Sequence, residues 1–204
     1  LISSIPTAYI SFHLQVEPGA GNSKWAHIAM GLQETESAPG WYNTYNEATF
    51  VENNYDTDAT AVASLENIGE SLQHFAKDPK YAWSFFNRKW AILWNNPTFE
   101  CFTLQSNKVS NVELSPLVKS TIYDGGKINI LLIAFFDVCQ SIFLFGILLY
   151  LLTEKKADFG ELLPFLLLIG AFVFWTFWET KCRYVLPYFL FVMPYSVLGY
   201  RNLI

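Results

Sequence analysis

From Ile128 to Leu152 the chain runs through apolar side chains interrupted by one charge, Asp137. No other feature restricts the fold so tightly. About 20 apolar residues at 1.5 Å rise cross the ~30 Å hydrocarbon layer of a bilayer, and a helix satisfies its own backbone there. Two further apolar segments follow at residues 162–178 and 184–200. The first of these closes on Phe174, Trp175, Phe177 and Trp178, the composition of a membrane-interface belt. The other carries Pro187 and Pro194, which membrane helices tolerate when neighbours satisfy the freed carbonyls. Core helices of a soluble protein would show a polar face, and these three segments show none.

The 204 residues are 52% hydrophobic and 18% aromatic, with most of the polar content ahead of Lys127. This division predicts a mainly α protein, with polytopic membrane helices preceded by a helical extracytoplasmic segment. Residues 1–16 read as the end of a preceding membrane helix or its connection, and 17–127 as the extracytoplasmic segment. Residues 128–204 read as three transmembrane helices, at about 128–152, 162–178 and 184–200. No initiator Met, basic n-region or cleavage site opens the chain, so it reads as the carboxy-terminal part of a larger protein. Lys155 and Lys156 between the first two spans, and Arg201 after the last, favour a cytoplasmic side for those positions. Lys119 and Lys127 flank the opposite end and weaken the bias.

Several function classes drop out. A net charge of −5 lacks the dense basic surface that nucleic acid requires. Cys101, Cys139 and Cys182 form neither a CxxC pair nor a zinc spacing, and His13, His27 and His74 are scattered. No metal site is expected from them. Within the polar segment, Asp58 is a candidate N-cap for a helix whose Val62, Leu65, Ile68, Leu72 and Phe75 recur at spacings of three and four. After Asp78-Pro79 a second stripe runs through Trp83, Phe86, Trp90 and Leu93, with Arg88 and Lys89 off it; Asn95-Asn96-Pro97 ends it.

The candidate site residues lie near the tail. Glu179, Lys181 and Arg183 form a tight charged cluster between two apolar runs, and Arg183 opens the last run. A guanidinium there can hold phosphate oxygens in pairs, Lys181 adds a second cation, and Glu179 can orient either. The alternative is a set of interfacial anchors whose heads snorkel to water. Asp137 is a possible intramembrane polar site, because a carboxylate in a span is costly without a partner or water; a structural hydrogen bond is the alternative role. Glu34, Glu36, Glu47, Glu52, Asp56 and Asp58 suit a cation, sugar hydroxyls or plain solvation. Trp25, Trp41, Tyr42 and Tyr45 suit stacking on sugar rings or burial in a core.

Arg183-Tyr184-Val185-Leu186-Pro187, followed by Pro194-Tyr195, resembles the late-helix pattern of the protein-mannosyltransferase-like membrane glycosyltransferases of family 39, which have a C-type fold. With Glu179, Lys181 and Gly199 it is similar to Gram-positive bacterial members. Three outer patches are similar too: His27 to Leu32, Gly40 to Asn46, and Phe85 to Trp90 continuing through Trp94 to Glu100. The resemblance implies an integral protein of a bacterial plasma membrane. It would move a sugar from a polyprenyl-phosphate donor to an acceptor glycan, protein or lipid on the outer face. It also implies that Arg183 and Lys181 meet the lipid phosphate, with Glu179 and Tyr184 supporting. The general base of such enzymes is an acidic residue in the first outer loop, and no position here matches it, so the catalytic residue is expected upstream. A divalent cation stays open as a cofactor. The competing expectation is a non-catalytic membrane protein with an extracytoplasmic glycan- or envelope-binding segment. A transporter fragment fits less well, since Asp137 is the one strongly polar residue within the spans.

Overall fold

The structure, a computed structural model, describes Tyr9, Phe12, His13 and residues 21–102, 113–154 and 158–203. The expectations for residues 1–16, those three positions aside, and for Lys155 and Lys156 lie outside the described residues. The architecture is mainly helical, and among the described residues the one β pairing is an isolated bridge between Trp41 and Thr180. The chain divides into two compact units, residues 1–87 with 177–180, and residues 88–176 with 181–204.

The first unit holds α1 (Lys24–Gly31), α2 (Tyr45–Glu52), α3 (Thr57–Lys77) and the first half of α4 (Pro79–Trp94). Asp56 caps α3, not Asp58: its carboxylate accepts from the Ala59 N–H at 2.8 Å while its own backbone is extended. Asp58 instead sits in the first turn, where negative charge complements the helix dipole. The buried face of α3 also differs from the apolar stripe. Thr60, Ser64 and Phe75 turn inward, whereas Val62 is 58% exposed and Leu65 and Leu72 are exposed too. The hydroxyls of Thr60 and Ser64 donate back to the carbonyls four residues earlier, each at 2.6 Å. Small side chains that satisfy themselves in this way can be buried without another partner. Phe75, Leu32 and Phe85 then form a core against which Ile28, Ile68 and Phe86 pack.

The buried face of α4 differs from the apolar stripe as well. Phe85, Lys89 and Leu93, four residues apart, are fully buried, while Trp83 is 66% exposed. Lys89 therefore lies on the inward face of α4, contrary to the stripe read through Trp83 and Trp90. Residues 177–180 belong to this unit through close backbone contact. Thr180 donates its N–H to the Gly40 carbonyl (2.6 Å) and its hydroxyl to that of Pro39 (2.8 Å). Gly31 is required at this point: a Cβ there would overlap the Phe177 carbonyl oxygen and lie 2.6 Å from the Trp178 backbone.

The second unit contains α5 (Pro116–Ile122), α6 (Lys127–Thr153), most of α7 (Phe159–Phe177), a 3-10 turn (Cys182–Val185) and α8 (Leu186–Arg201). Two helices, α6 and α7, are long and apolar enough to cross a membrane, with only 11% of the most apolar stretch of each buried. A soluble core helix would be mostly covered, so their exposed Leu, Ile and Phe side chains match a hydrocarbon surrounding. At 27 and 19 residues they span about 40 and 28 Å. The first boundary extends one residue beyond the expected 128–152 at each end. The second helix starts three residues early because Asp158 and Glu161 cap it reciprocally, Glu161 N–H to Asp158 at 2.8 Å and Asp158 N–H to Glu161 at 3.3 Å. The third apolar segment is a 3-10 turn and then a 16-residue helix, about 24 Å long, short of a full span. Pro187 in the first turn of α8 fixes its start.

Candidate functional site

Arg183 lies in the 3-10 turn that leads into α8, and its surroundings within the second unit fix its orientation. Its Nη1 is 3.8 Å from Oε2 of Glu100, with 40% of the arginine side chain exposed and 4% of the glutamate's. That separation is an ion pair rather than a hydrogen bond, so the guanidinium N–H groups are not consumed by it. The guanidinium also stands 5.4 Å over the Tyr184 ring, which in turn stacks on Trp175 at 4.9 Å. One side of the cation is thereby held by aromatic and carboxylate contacts while the other faces solvent.

Glu100 was not singled out by residue type, yet it organises this corner. Its Oε1 accepts the Cys182 N–H at 3.1 Å, and the side chain is buried. Phe99 and Glu100 both adopt left-handed backbone, φ +49° and +65°. Two such non-glycine residues cost on the order of 1–3 kcal/mol each, a strain that the surrounding contacts must offset. The result is a carboxylate aimed at the start of α8. Cys182 beside it is buried, and desolvation, reinforced by the Glu100 charge, pushes its thiol up to about 12. It is therefore a packed thiol, not a nucleophile.

An apolar groove of about 250 Å³ runs along α8, lined by Phe99, Phe143, Leu186, Phe189, Leu190 and Met193 among others. Leu186, Leu190 and Met193 line the groove at helical spacing, and Arg183 precedes Leu186 by three residues in the 3-10 turn. A second cavity, about 530 Å³ and more polar, is lined by Asn95, Asn96, Thr98, Asp124 and Asp137 together with Phe102 and Pro97. Pro97 is common to both. Gln140 lines the groove and donates to the Trp94 carbonyl at 2.7 Å.

The principal sequence candidates fall in both units, Glu179 in the first and the others in the second. Lys181 is half-buried at the N-cap of the 3-10 turn. Tyr184 supports Arg183 from below. Glu179 is buried within the first unit, its Oε2 3.9 Å from Nδ1 of His27, whose ring stacks on Trp178 at 5.0 Å. Within the second unit the carboxylate beside Arg183 is Glu100. Asp137 is exposed to the polar cavity rather than tied inside the bundle. Lys89 on α4 is fully buried, and that burial lowers its pKa to about 7. In the first unit, Tyr42 donates to Glu47 at 2.7 Å, which raises the tyrosine's pKa. Trp25, Trp41, Tyr42 and Tyr45 are all partly exposed, so none is a core residue. Among the described residues no three acidic, histidine or cysteine side chains gather as a metal site.

The sequence marks the Glu100 corner indirectly: Asn95-Asn96-Pro97 stops α4 and forces the chain to turn just before it. Asn96 Oδ1 accepts from both the N–H (3.0 Å) and hydroxyl (2.8 Å) of Thr98, which sets that turn. No protein-family model, curated protein or solved structure matches the chain.

Proposed function

We propose that this chain is the lipid-phosphate-holding part of an integral membrane glycosyltransferase in a bacterial plasma membrane. In this reading it moves a sugar from a polyprenyl-phosphate donor to a glycan, protein or lipid acceptor on the outer face. The observation that carries the reading is Arg183, preset by Glu100 and Tyr184, at the head of a row of groove-lining residues on α8. A prenyl chain has the apolar surface such a groove covers, and its phosphate then falls beside the guanidinium.

The chemistry follows from charge. When the sugar leaves, negative charge builds on the lipid phosphate, and a cation already oriented there stabilises the transition state without reorganising. Lys181 adds a second positive charge two residues away. The base that activates the acceptor is not assigned to any residue of this chain.

The test is sugar transfer from a synthetic polyprenyl-phosphate hexose by the intact protein in lipid nanodiscs. Arg183→Ala should abolish or greatly weaken transfer at unchanged expression, and Arg183→Lys should recover little where the contact is bidentate. Normal transfer by Arg183→Ala would remove the proposed role.

A further inference from the structure

We propose that the polar cavity lined by Asn95, Asn96, Thr98, Asp124 and Asp137 is a sugar subsite that takes a hexose-sized polyhydroxyl group. The inference deepens the reading above and rests on it for the sugar's lipid carrier, though not for the cavity itself.

Three observations converge. The first is Asp137 itself, ten residues into α6 from Lys127, hence about 15 Å along a mainly apolar helix in which it is the one acidic side chain. It is exposed, and no hydrogen bond or ion pair engages it among the described residues. A carboxylate at such a position is expensive unless water or a ligand reaches it, and the cavity is what reaches it. A smaller recess lined by Asn95, Gln140 and Ser141 also opens onto Asp137.

The second is the donor and acceptor balance of the walls. Ionised carboxylates only accept, and hydroxyls of a sugar donate; the Asn95 amide can do both, while Asn96, whose Oδ1 already holds Thr98, keeps its NH2 group to donate. Phe102 and Pro97 supply the apolar surface that a ring's C–H face needs. Two carboxylates with no lysine or arginine in the lining repel a phosphate. The anionic part of a donor is therefore steered to Arg183 and the neutral hydroxyls to this cavity. At about 530 Å³ the space falls within the ~300–1,000 Å³ range of small-molecule sites.

The third is connectivity. One short segment, residues 95–102, touches every part. Asn95, Asn96, Thr98 and Phe102 line the polar cavity, Phe99 lines the apolar groove, and Glu100 holds Arg183. A groove for a hydrocarbon chain, a cation and a hydroxyl-binding cavity on one loop match the order of chain, phosphate and sugar in an amphipathic donor.

The experiment measures saturation-transfer NMR from the full chain in nanodiscs to methyl α-mannoside, α-glucoside and α-galactoside. Binding of polyprenyl phosphate without sugar is followed separately. At least one methyl hexoside should show transfer, and Asp137→Asn and Asn95→Ala should each weaken it about tenfold, the loss of one hydrogen bond to a charged or buried group. Polyprenyl phosphate should bind those variants as it binds the wild type. No transfer to any hexoside, or equal transfer in both variants, overturns the subsite. Should Asp137→Asn fail to fold, Asn95→Ala and Asp124→Asn decide on the same terms. Hexoside binding without polyprenyl phosphate binding would leave the subsite standing and remove the lipid reading; the reverse pattern would remove the subsite alone.

Discussion

Gly199→Ala is the sharpest available test of how the second unit is packed. Helices α6 and α8 form the most extensive helix pair among the described residues. They meet at glycine: a Cβ on Gly199 would overlap the Gly146 carbonyl oxygen and lie 2.6 Å from the Tyr150 nitrogen. On the facing side, a Cβ on Gly146 would lie 2.6 Å from both the Ser196 carbonyl oxygen and the Tyr200 ring. The neighbours of Gly199 are all backbone, which cannot rotate away, so the two helices would have to separate by roughly 1 Å to restore van der Waals contact. Overpacking of a tight contact costs about 1–3 kcal/mol, and small residues are what let membrane helices approach so closely. For a chain of this size that loss lowers the melting temperature by about 2–4 °C per kcal/mol. Gly170→Ala on α7 is the matched control. Nothing lies within 4 Å of its would-be Cβ. The same substitution should therefore gain up to about 1 kcal/mol from helix propensity. Tryptophan fluorescence melts of both variants in one detergent measure the pair. Equal melting temperatures for Gly199→Ala and Gly170→Ala would refute the close crossing, because propensity alone predicts a gain at both sites.

The other expectations follow from single groups. Asp56→Ala should cost about 1 kcal/mol by removing the α3 cap, whereas Asp58→Ala should cost less; chemical denaturation of the two variants distinguishes them. Glu100→Gln keeps an acceptor for the Cys182 N–H but removes the charge facing Arg183. It should weaken polyprenyl phosphate binding through poorer orientation while leaving the melting temperature within a few degrees; binding unchanged from wild type would detach Glu100 from that role. Lys89 has a folded pKa of about 7, below its unfolded value, so the unfolded chain binds more protons above pH 7 and stability rises with pH. Cys182 acts oppositely above about pH 8.5, where the unfolded thiol ionises and the folded one, at about 12, does not. Melting temperature should therefore climb from pH 7 to about 8.5 and then flatten; Lys89→Met should remove the climb and Cys182→Ala the flattening.

Which parts of this molecule can be read from its residues depends on whether the determining interactions are local. The spans α6 and α7 are legible because crossing hydrocarbon is decided by length and apolarity within one segment. The start of α8 is signalled by Pro187, which favours the first turn of a helix. The inward faces of α3 and α4 are not legible, since each helix carries two competing stripes. The winning ones bury Thr60 and Ser64 on α3 and Lys89 on α4, at the expense of larger apolar groups left outside. A rule that sends apolar residues inward cannot find that choice when much of the surface is itself apolar. The site follows the same logic. Arg183 and Asp137 announce themselves as charges within or beside hydrocarbon, but their relation does not, because it passes through Glu100, 82 residues before Cys182. The segment that supplies Glu100 is short, strained and otherwise inconspicuous. Its conformation is set by an Asn-Asn-Pro-Thr turn, which is local, and its meaning by what that turn brings together, which is not. A charged cluster near the tail therefore describes only the cation of this site. The loop from Asn95 to Phe102 supplies the carboxylate that orients it, one wall of the groove beside it and most of the polar lining of the neighbouring cavity.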